Sequence, residues 1–547
     1  MYKVFLLVII LSFALSANSQ QVCNIQRYVS PIFTSQVTQE PAIYGTSVNN
    51  AGNNQNLSFD FYEPANLIST GQGDTLTKRP LIVMAFGGSF LGGDKRQAEL
   101  VDYCEAMAEL GFCVASIDYR VGFNIFSTDS ATRAVYRGYQ DMCAAIRYFR
   151  QFAGTYDIDP NNIYAGGNSA GSFNAMHAAF GEDSDRQNVP GNVLQATFNN
   201  PDLGDPDSSG NTYPQFREPN AVINLWGAIG LDTWVRTGDV PIISFHGDND
   251  NVININAGSP YGFPIFPVVY GMNPIHVRAI NEGLVEESHL FQGGHELWNN
   301  AALMDSIIEE SSDFLFTNLL KPGPKNVSGN LSVCSSSVET YCVNNAPNSS
   351  KFCWSVTNGT ILSETGSCVT IQWNLTGSGN LQFTERTCHD AEGSPVNSII
   401  NINPSAGPVA NFAFNYVNAG ITFNNTSTGG TSYLWDFGDG NTDTSLNPSY
   451  TYTTNGTYTV TLTVTDASGC STIHTDTVHQ FCQPTWVIGA NPTPTGLYQT
   501  FNWVQSSNPV AGGSNVDFKA GDYIELLQGF EVMITDDFLA EIVPCNN

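Results

Sequence analysis

Nine residues constrain this chain more than any other feature: Ile163-Tyr164-Ala165-Gly166-Gly167-Asn168-Ser169-Ala170-Gly171. An apolar segment suited to a buried strand runs into Gly-x-Ser-x-Gly, and a helical pattern over Ala170–Ala179 follows directly. A strand that becomes a helix so abruptly must turn sharply. The serine at the apex is lifted out of the sheet, and side chains two residues to either side would crowd the turn, so glycine stands there. The helix behind it points its first free amides at any negative charge that forms beside the serine. The motif predicts a strand–helix architecture and a nucleophile, Ser169.

The surrounding pattern fits that architecture. Leu81–Phe86 is a short apolar run, as expected for a strand buried on both faces. Residues 97–110 have helical periodicity and end at Gly111. Cys113–Ile117 reads as a strand. Residues 131–152 read as a helix with Val135, Met142, Ile146 and Phe149 on one stripe. Ile242–Phe245 and His289–Phe291 read as further strands and Ala301–Leu319 as a closing helix. Strands alternating with helices predict a mostly parallel α/β sheet.

The pattern stops at Lys321-Pro322-Gly323-Pro324, a linker whose prolines end the helix. A chain of 547 residues exceeds what one core of about 250–300 residues holds, so division is expected. Beyond residue 320 the chain is rich in Thr, Ser, Asn and Gly and shows no long helical stripe. Tyr452–Val464 alternates with period two, as a half-buried antiparallel strand does. Breaks near Pro404/Pro408 and Cys482/Pro484 divide this half into three small β modules.

The amino terminus predicts export. Lys3 precedes an apolar run over Val4–Leu15, and Ala17-Asn18-Ser19 supplies small residues before Gln20. The run is shorter than the roughly 20 residues that span a bilayer, so residues 1–20 read as a cleaved leader rather than an anchor. Later apolar runs are too short to span. Export permits disulfides among the 12 cysteines, whose spacings do not match a zinc site. Cys334–Cys388 and Cys482–Cys545 are expected bridges, each bracketing a segment with little core of its own. The net charge of −30 argues against nucleic acid and against an anionic membrane surface as partner. Residues 1–320 carry 33 acids and 15 bases, and the remainder 17 and 5, so the acidity belongs to both halves and forms no acidic tail.

A serine hydroxyl needs a base to take its proton. Five histidines precede the linker. His177 falls in the helix after the nucleophile and reads as packing; His246 ends a strand, His276 begins a helix and His289 lies within a strand. His295, in Gln292-Gly293-Gly294-His295-Glu296, stands on a flexible loop after a strand, from which it can reach the sheet edge. It is the expected base. An acid must orient the imidazole. His246-Gly247-Asp248-Asn249-Asp250 follows the strand Ile242–Phe245; Asp250, further out, is favoured, and Asp248 stays open as the alternative. The chain order Ser169, Asp250, His295 is one of three known for such triads. Phe86-Gly87-Gly88-Ser89-Phe90 supplies a glycine-rich loop, and the amides of Gly88, Ser89 and Ala170 are expected to form the oxyanion hole.

Together, PLIVMAFGGSFLGGDK, IDYR, YAGGNSAGS, HGDND and GGHE resemble carboxylesterase- and lipase-type α/β hydrolases, including the feruloyl-esterase-like branch, over roughly residues 40–320. The family's usual loop begins His-Gly-Gly-Gly; here Phe86 and Ser89 depart from it. The resemblance implies an α/β-hydrolase fold over residues 21–320, with helices on both faces of the sheet, and hydrolysis of carboxylic esters through an acyl-enzyme without a cofactor or metal. Residues 408–478, with Tyr433–Gly440 and the Tyr450/Tyr452…Gly456-Thr457-Tyr458 stretch, resemble a PKD domain, an Ig-like β-sandwich whose Phe-Gly-Asp-Gly turn is structural. Residues 324–403, with Cys334, Trp354, Trp373 and Cys388, are similar to a PKD-like Ig module. Residues 482–547, with Leu526–Val532, resemble a small C-terminal β-module of secreted bacterial proteins. Such modules imply spacing, adhesion, polymer contact or export. The expected partner is an ester substrate, short or polymeric, with loops 199–220 and 254–275 shaping its pocket. An adhesin with an inactive hydrolase domain and a secreted peptidase of the same fold are the alternatives.

Overall fold

The computed structural model describes residues 26–547 apart from 183, 186–201, 265, 375–376, 404–406, 418–419, 455, 481–482, 489–495, 507–514, 521–522, 527–536 and 543–547. The leader and the expected Cys482–Cys545 bridge lie outside the described residues. The chain divides into two compact units. The first holds residues up to Lys325 together with Asn345–Cys353 and Phe383–Val396; the second holds the rest.

The first unit is built on an eight-stranded sheet. Its strands are β1 (Phe33–Val48), β2 (Asn54–Leu67), β3 (Arg79–Ala85), β4 (Cys113–Ile117), β5 (Ile158–Asn168), β6 (Val222–Leu225), β7 (Ile242–Gly247) and, after a two-residue hairpin of β8 (Ala257–Gly258) with β9 (Val269–Tyr270), β10 (Glu286–Phe291). The order is β1-β2-β4-β3-β5-β6-β7-β10. β1 and β2 pair antiparallel, as do β2 and β4; every pairing from β4 to β10 is parallel. This is the α/β-hydrolase sheet. All seven residues of β3 are buried, as the continuous apolar run predicts.

The helices are α1 (Ala98–Leu110), α2 (Thr128–Gln151), α3 (Ala170–Phe180), α4 (Met272–Glu282) and α5 (Ala301–Leu315). Gly111 ends α1 in the left-handed conformation at φ 113°, closing it with amide bonds to Ala108 and Met107. The chain moves outward from β3 through α1 to β4, then back past β3 through α2 to β5. Parallel crossovers are right-handed, so this reversal places α1 and α2 on opposite faces. The closing helix ends earlier than the pattern suggests: a π turn over Phe316–Leu320 follows Leu315.

The described residues of the 199–220 segment pack against α2. Among them, the carbonyls of Pro206, Ser209 and Asn211 accept from the buried Arg147 guanidinium of α2. These carbonyls therefore satisfy a buried cation. The first unit also takes in chain from beyond the linker: the Tyr28 hydroxyl donates to the His389 carbonyl, and His389 Nε2 lies 2.5 Å from Asp159.

Among its described residues the second unit holds strands and no helix. Its strands between residues 327 and 403, those of 345–353 and 383–396 apart, pack as a sandwich around Tyr341, Ile371, Trp373, Leu381 and Ile400. The PKD segment forms a second sandwich around Phe412, Phe423, Trp435 and Leu462, from a three-stranded and a four-stranded sheet. Its acidic turn is structural: Asp436 accepts the Gly438 amide, and Asp439 accepts from Asn441 and the Tyr450 hydroxyl. The alternating stretch enters its strand only at Gly456, because Tyr452 leaves the ladder to bury its ring and donate to the Phe437 carbonyl. Cys334 bonds to Cys470, and Cys342 to Cys368. This corrects the expected Cys334–Cys388 bridge. Cys388 is a free thiol in the 383–396 segment that belongs to the first unit. Among the described residues, no helix is long and apolar enough to cross a membrane.

Candidate active site

The turn after β5 shows why its residue types are fixed. Ser169 has φ 50° and ψ −116°, a region that costs a non-glycine residue about 1–3 kcal/mol. A methyl group on Gly171 would overlap the Ala85 carbonyl, and one on Gly167 would stand 2.5 Å from the same oxygen. Both glycines let α3 seat against the end of β3. Buried polar contacts hold the seat: Ser172 donates to Asn224 of β6, and Asn224 donates to Ser244 of β7.

The parallel pairing of β7 with β10 sets Gly247 opposite Phe291, so the two loops that follow emerge side by side. They are stitched together: Asn249 N–H donates to the Gly293 carbonyl, and Gly293 N–H donates to Asp248. Trp298, just beyond, buries its ring edge-on against Trp226. His295 is thereby carried to the serine. Its Nε2 lies 2.8 Å from Ser169 Oγ and its Nδ1 2.7 Å from Asp250 Oδ2. The structure brings Ser169, His295 and Asp250 into one hydrogen-bonded line. It leaves Asp248 outside that line, as the acceptor that ties the two loops.

The Asp250 side chain is fully buried, and both oxygens of its carboxylate are occupied. Oδ1 accepts the amides of Val252 at 2.7 Å and Ile253 at 2.9 Å; Oδ2 faces His295 and, at 3.2 Å, His246 Nε2. Burial alone would raise its pKa. The bonds from His246 and His295, the His295 charge and the Ile253 amide outweigh burial and hold the carboxyl well below the usual carboxylate range. His246 is the residue that the sequence reading did not select. It is fully buried, and its Nε2 also lies 3.0 Å from the Ile253 carbonyl, so that nitrogen carries the proton. The i,i+4 spacing across the turn was the available signal.

The other histidines take no part. His177 is buried against Phe173 and Trp234 and donates to the Phe173 carbonyl, which makes it a packing residue. His276 pairs with Glu286. Glu287, His289 and Glu310 bring possible ligand atoms within 4.8 Å of one another, but none belongs to the serine constellation.

The loop after β3 carries three successive positive φ values, 126° at Gly88, 53° at Ser89 and 59° at Phe90. Phe90 holds this strained course by packing against Tyr119 and Phe173. Phe86, where the resemblance expects histidine, stacks on Tyr119, whose hydroxyl donates to the Phe86 carbonyl. The amides of Gly88, Ser89 and Ala170 have no hydrogen-bond partner among the described residues. A cavity of about 100 Å³ opens beside Ser169 and Ala170, with Pro260, Tyr261, Phe266, Pro267 and Val269 among its walls. The 254–275 loop thus reaches the site; no described residue of 199–220 does.

Residues 68–229 match the BD-FAE family model, residues 405–480 the PKD domain model and residues 320–393 a PKD-like domain model. The chain is 44% identical over 75 residues to the pre-pro-metalloprotease PrtV of Vibrio cholerae, covering 13% of this chain and 8% of that protein. It is 32% identical over 119 residues to carboxylesterase 3B of Mus musculus, covering 21% and 19%. It thus spans only a small part of the curated relatives it matches. Among solved structures, a thermophilic esterase of Thermogutta terrifontis, Est2, aligns over 52% of this chain and 96% of its own at 21% identity and a TM-score of 0.37. The sheet order and the family models agree: this chain carries an esterase-like α/β-hydrolase domain together with PKD-type β-sandwich modules.

Proposed function

We propose that the protein is a secreted serine esterase that hydrolyses carboxylic esters through an acyl-enzyme. The observation that carries this reading is the Ser169–His295–Asp250 line, with hydrogen bonds of 2.8 and 2.7 Å, on a serine held in a strained turn. Ser169 Oγ attacks the ester carbonyl while His295 Nε2 takes its proton. The oxyanion that forms is held by the amides of Gly88, Ser89 and Ala170. His295 then returns the proton to the departing alcohol, leaving the acyl group on Ser169. Water, deprotonated by the same imidazole, releases the acid. Asp250 keeps the His295 proton on Nδ1 and stabilises the imidazolium. The chemistry asks for no cofactor.

In this reading residues 1–20 are the export leader and 21–320 the catalytic domain. Residues 324–403, 408–478 and 482–547 are β modules that space the enzyme from a surface or hold it on a polymeric ester. Disulfides between module cysteines suit an oxidising compartment. Hydrolysis of p-nitrophenyl esters by the purified full chain and by Ser169→Ala tests the assignment. The wild type should turn over, and the variant should lose at least about three powers of ten in kcat. An unchanged variant rejects it.

A further inference from the structure

The cavity beside Ser169 narrows the substrate class, and the inference rests on the esterase reading above. The leaving alcohol must sit where His295 Nε2 can protonate it. No residue from 292–300, the loop that carries His295, lines the cavity. Its walls are Phe90 from the oxyanion loop, Val135 of α2, Phe173 of α3, and Phe123, Tyr261 and Phe266. The cavity therefore lies away from the departing alcohol and receives the acyl side. Its lining is almost wholly apolar, so the group it holds is a hydrocarbon.

Size then decides between hydrocarbons. An apolar cavity of about 150 Å³ holds one benzene ring, six carbons. At about 100 Å³, this one holds roughly four carbons on the same scale. A phenylpropenoyl group, with nine skeletal carbons and a substituted ring, exceeds it twofold. The wall that would have to yield is tied down. The Tyr261 hydroxyl is hydrogen-bonded to Ser89 Oγ, fastening the 254–275 loop to the oxyanion loop. Tyr261 itself is held at φ 57°. On the inner side, Phe173 and Phe90 meet edge to face.

We infer that this cavity is the acyl pocket of an esterase selective for short aliphatic acyl groups, centred on about four carbons, and that it excludes aromatic acyl groups such as feruloyl. Tyr261 and Val135 are its size-determining residues.

The test is a p-nitrophenyl ester series from acetyl to decanoyl, with p-nitrophenyl ferulate alongside, on the full-length protein. kcat/KM should peak at propionyl to butyryl and fall by at least about tenfold at octanoyl and at ferulate. Tyr261→Ala removes a half-exposed ring and should raise the octanoyl-to-butyryl ratio by about tenfold. Val135→Phe, which adds bulk to the lining from α2, should move the peak to acetyl. A flat profile, a ferulate rate equal to the butyrate rate, or variants that scale all esters alike would each overturn the proposal. Labelling of Ser169 by a fluorophosphonate separates the failures. A labelled serine with a flat profile rejects the pocket alone; an unlabelled serine and no ester turnover reject the esterase reading as well.

Discussion

Replacing Asp250 with asparagine makes a prediction whose direction the geometry dictates. Asp250 Oδ1 accepts two backbone amides, from Val252 and Ile253, so the carbonyl oxygen of an asparagine must occupy that position. Its NH2 group is then forced into the place of Oδ2, facing His295 Nδ1 at 2.7 Å and His246 Nε2 at 3.2 Å. A donor now stands before Nδ1. His295 must answer by accepting there, which moves its own proton to Nε2. That nitrogen can then only donate to Ser169 Oγ, 2.8 Å away, and cannot take its proton. The loss expected from such a wrong tautomer is about 10⁴-fold in kcat, or ~5 kcal/mol of transition-state stabilisation. His246 keeps the Ile253 carbonyl, 3.0 Å from its Nε2, as acceptor, so the loss falls on catalysis rather than on folding. Asp248→Asn provides the comparison. Asp248 only accepts the Gly293 amide, which an asparagine oxygen also does, so its kcat should stay within about tenfold of wild type. The assay is kcat on p-nitrophenyl butyrate, with circular dichroism to establish that each variant is folded. An Asp250→Asn enzyme within tenfold of wild type, or an Asp248→Asn enzyme that is the weaker of the two, would refute the reasoning.

Three further outcomes follow from the same structure. Gly171→Ala would drive a methyl group into the Ala85 carbonyl, so urea denaturation should show a loss of at least about 1–3 kcal/mol; an unchanged midpoint would mean that α3 does not seat on β3 as described. Burial lowers the His177 pKa to about 4 from 6.5, so the folded protein leaves it neutral where the unfolded chain protonates it. The stability this contributes is complete above pH 6.5 and is lost as pH falls to about 4, at most ~3 kcal/mol. His177→Phe should flatten the melting-temperature profile in that window, and a profile as steep as wild type would contradict the assignment. Peptide mapping without reduction should recover Cys334 joined to Cys470 and Cys388 alkylated; a Cys334–Cys388 peptide would overturn that connectivity.

What the sequence made legible tracks how local each determinant is. Gly167, Ser169 and Gly171 announce their turn because the steric demand falls within five residues. Leu81–Phe86 and Cys113–Ile117 read as buried strands because both faces are covered, and Cys113–Ile117 matches its strand at both ends. β1 and β2 escaped notice because they are long, bulged and partly exposed, so their periodicity is broken. Asp250 could be favoured over Asp248 from its place in the loop, but the two amide bonds that fix its carboxylate could not be read. His246 looked like the end of a strand; its contact with Asp250 exists only once the loop folds back. The 199–220 segment and the Cys334–Cys470 bond belong to the same class. One answers a buried arginine on a distant helix, the other joins residues 136 apart, and neither demand leaves a trace in neighbouring residues.

The central claim is that Ser169 is an activated nucleophile, and active-site titration tests it most directly. The full-length protein is treated with a fluorophosphonate near neutral pH and analysed by intact mass and peptide mapping. The account predicts one phosphonyl adduct per chain, located on Ser169, formed in step with the loss of esterase activity and absent from Ser169→Ala. A chain that hydrolyses esters while Ser169 stays unmodified, or an adduct that persists in Ser169→Ala, would contradict it.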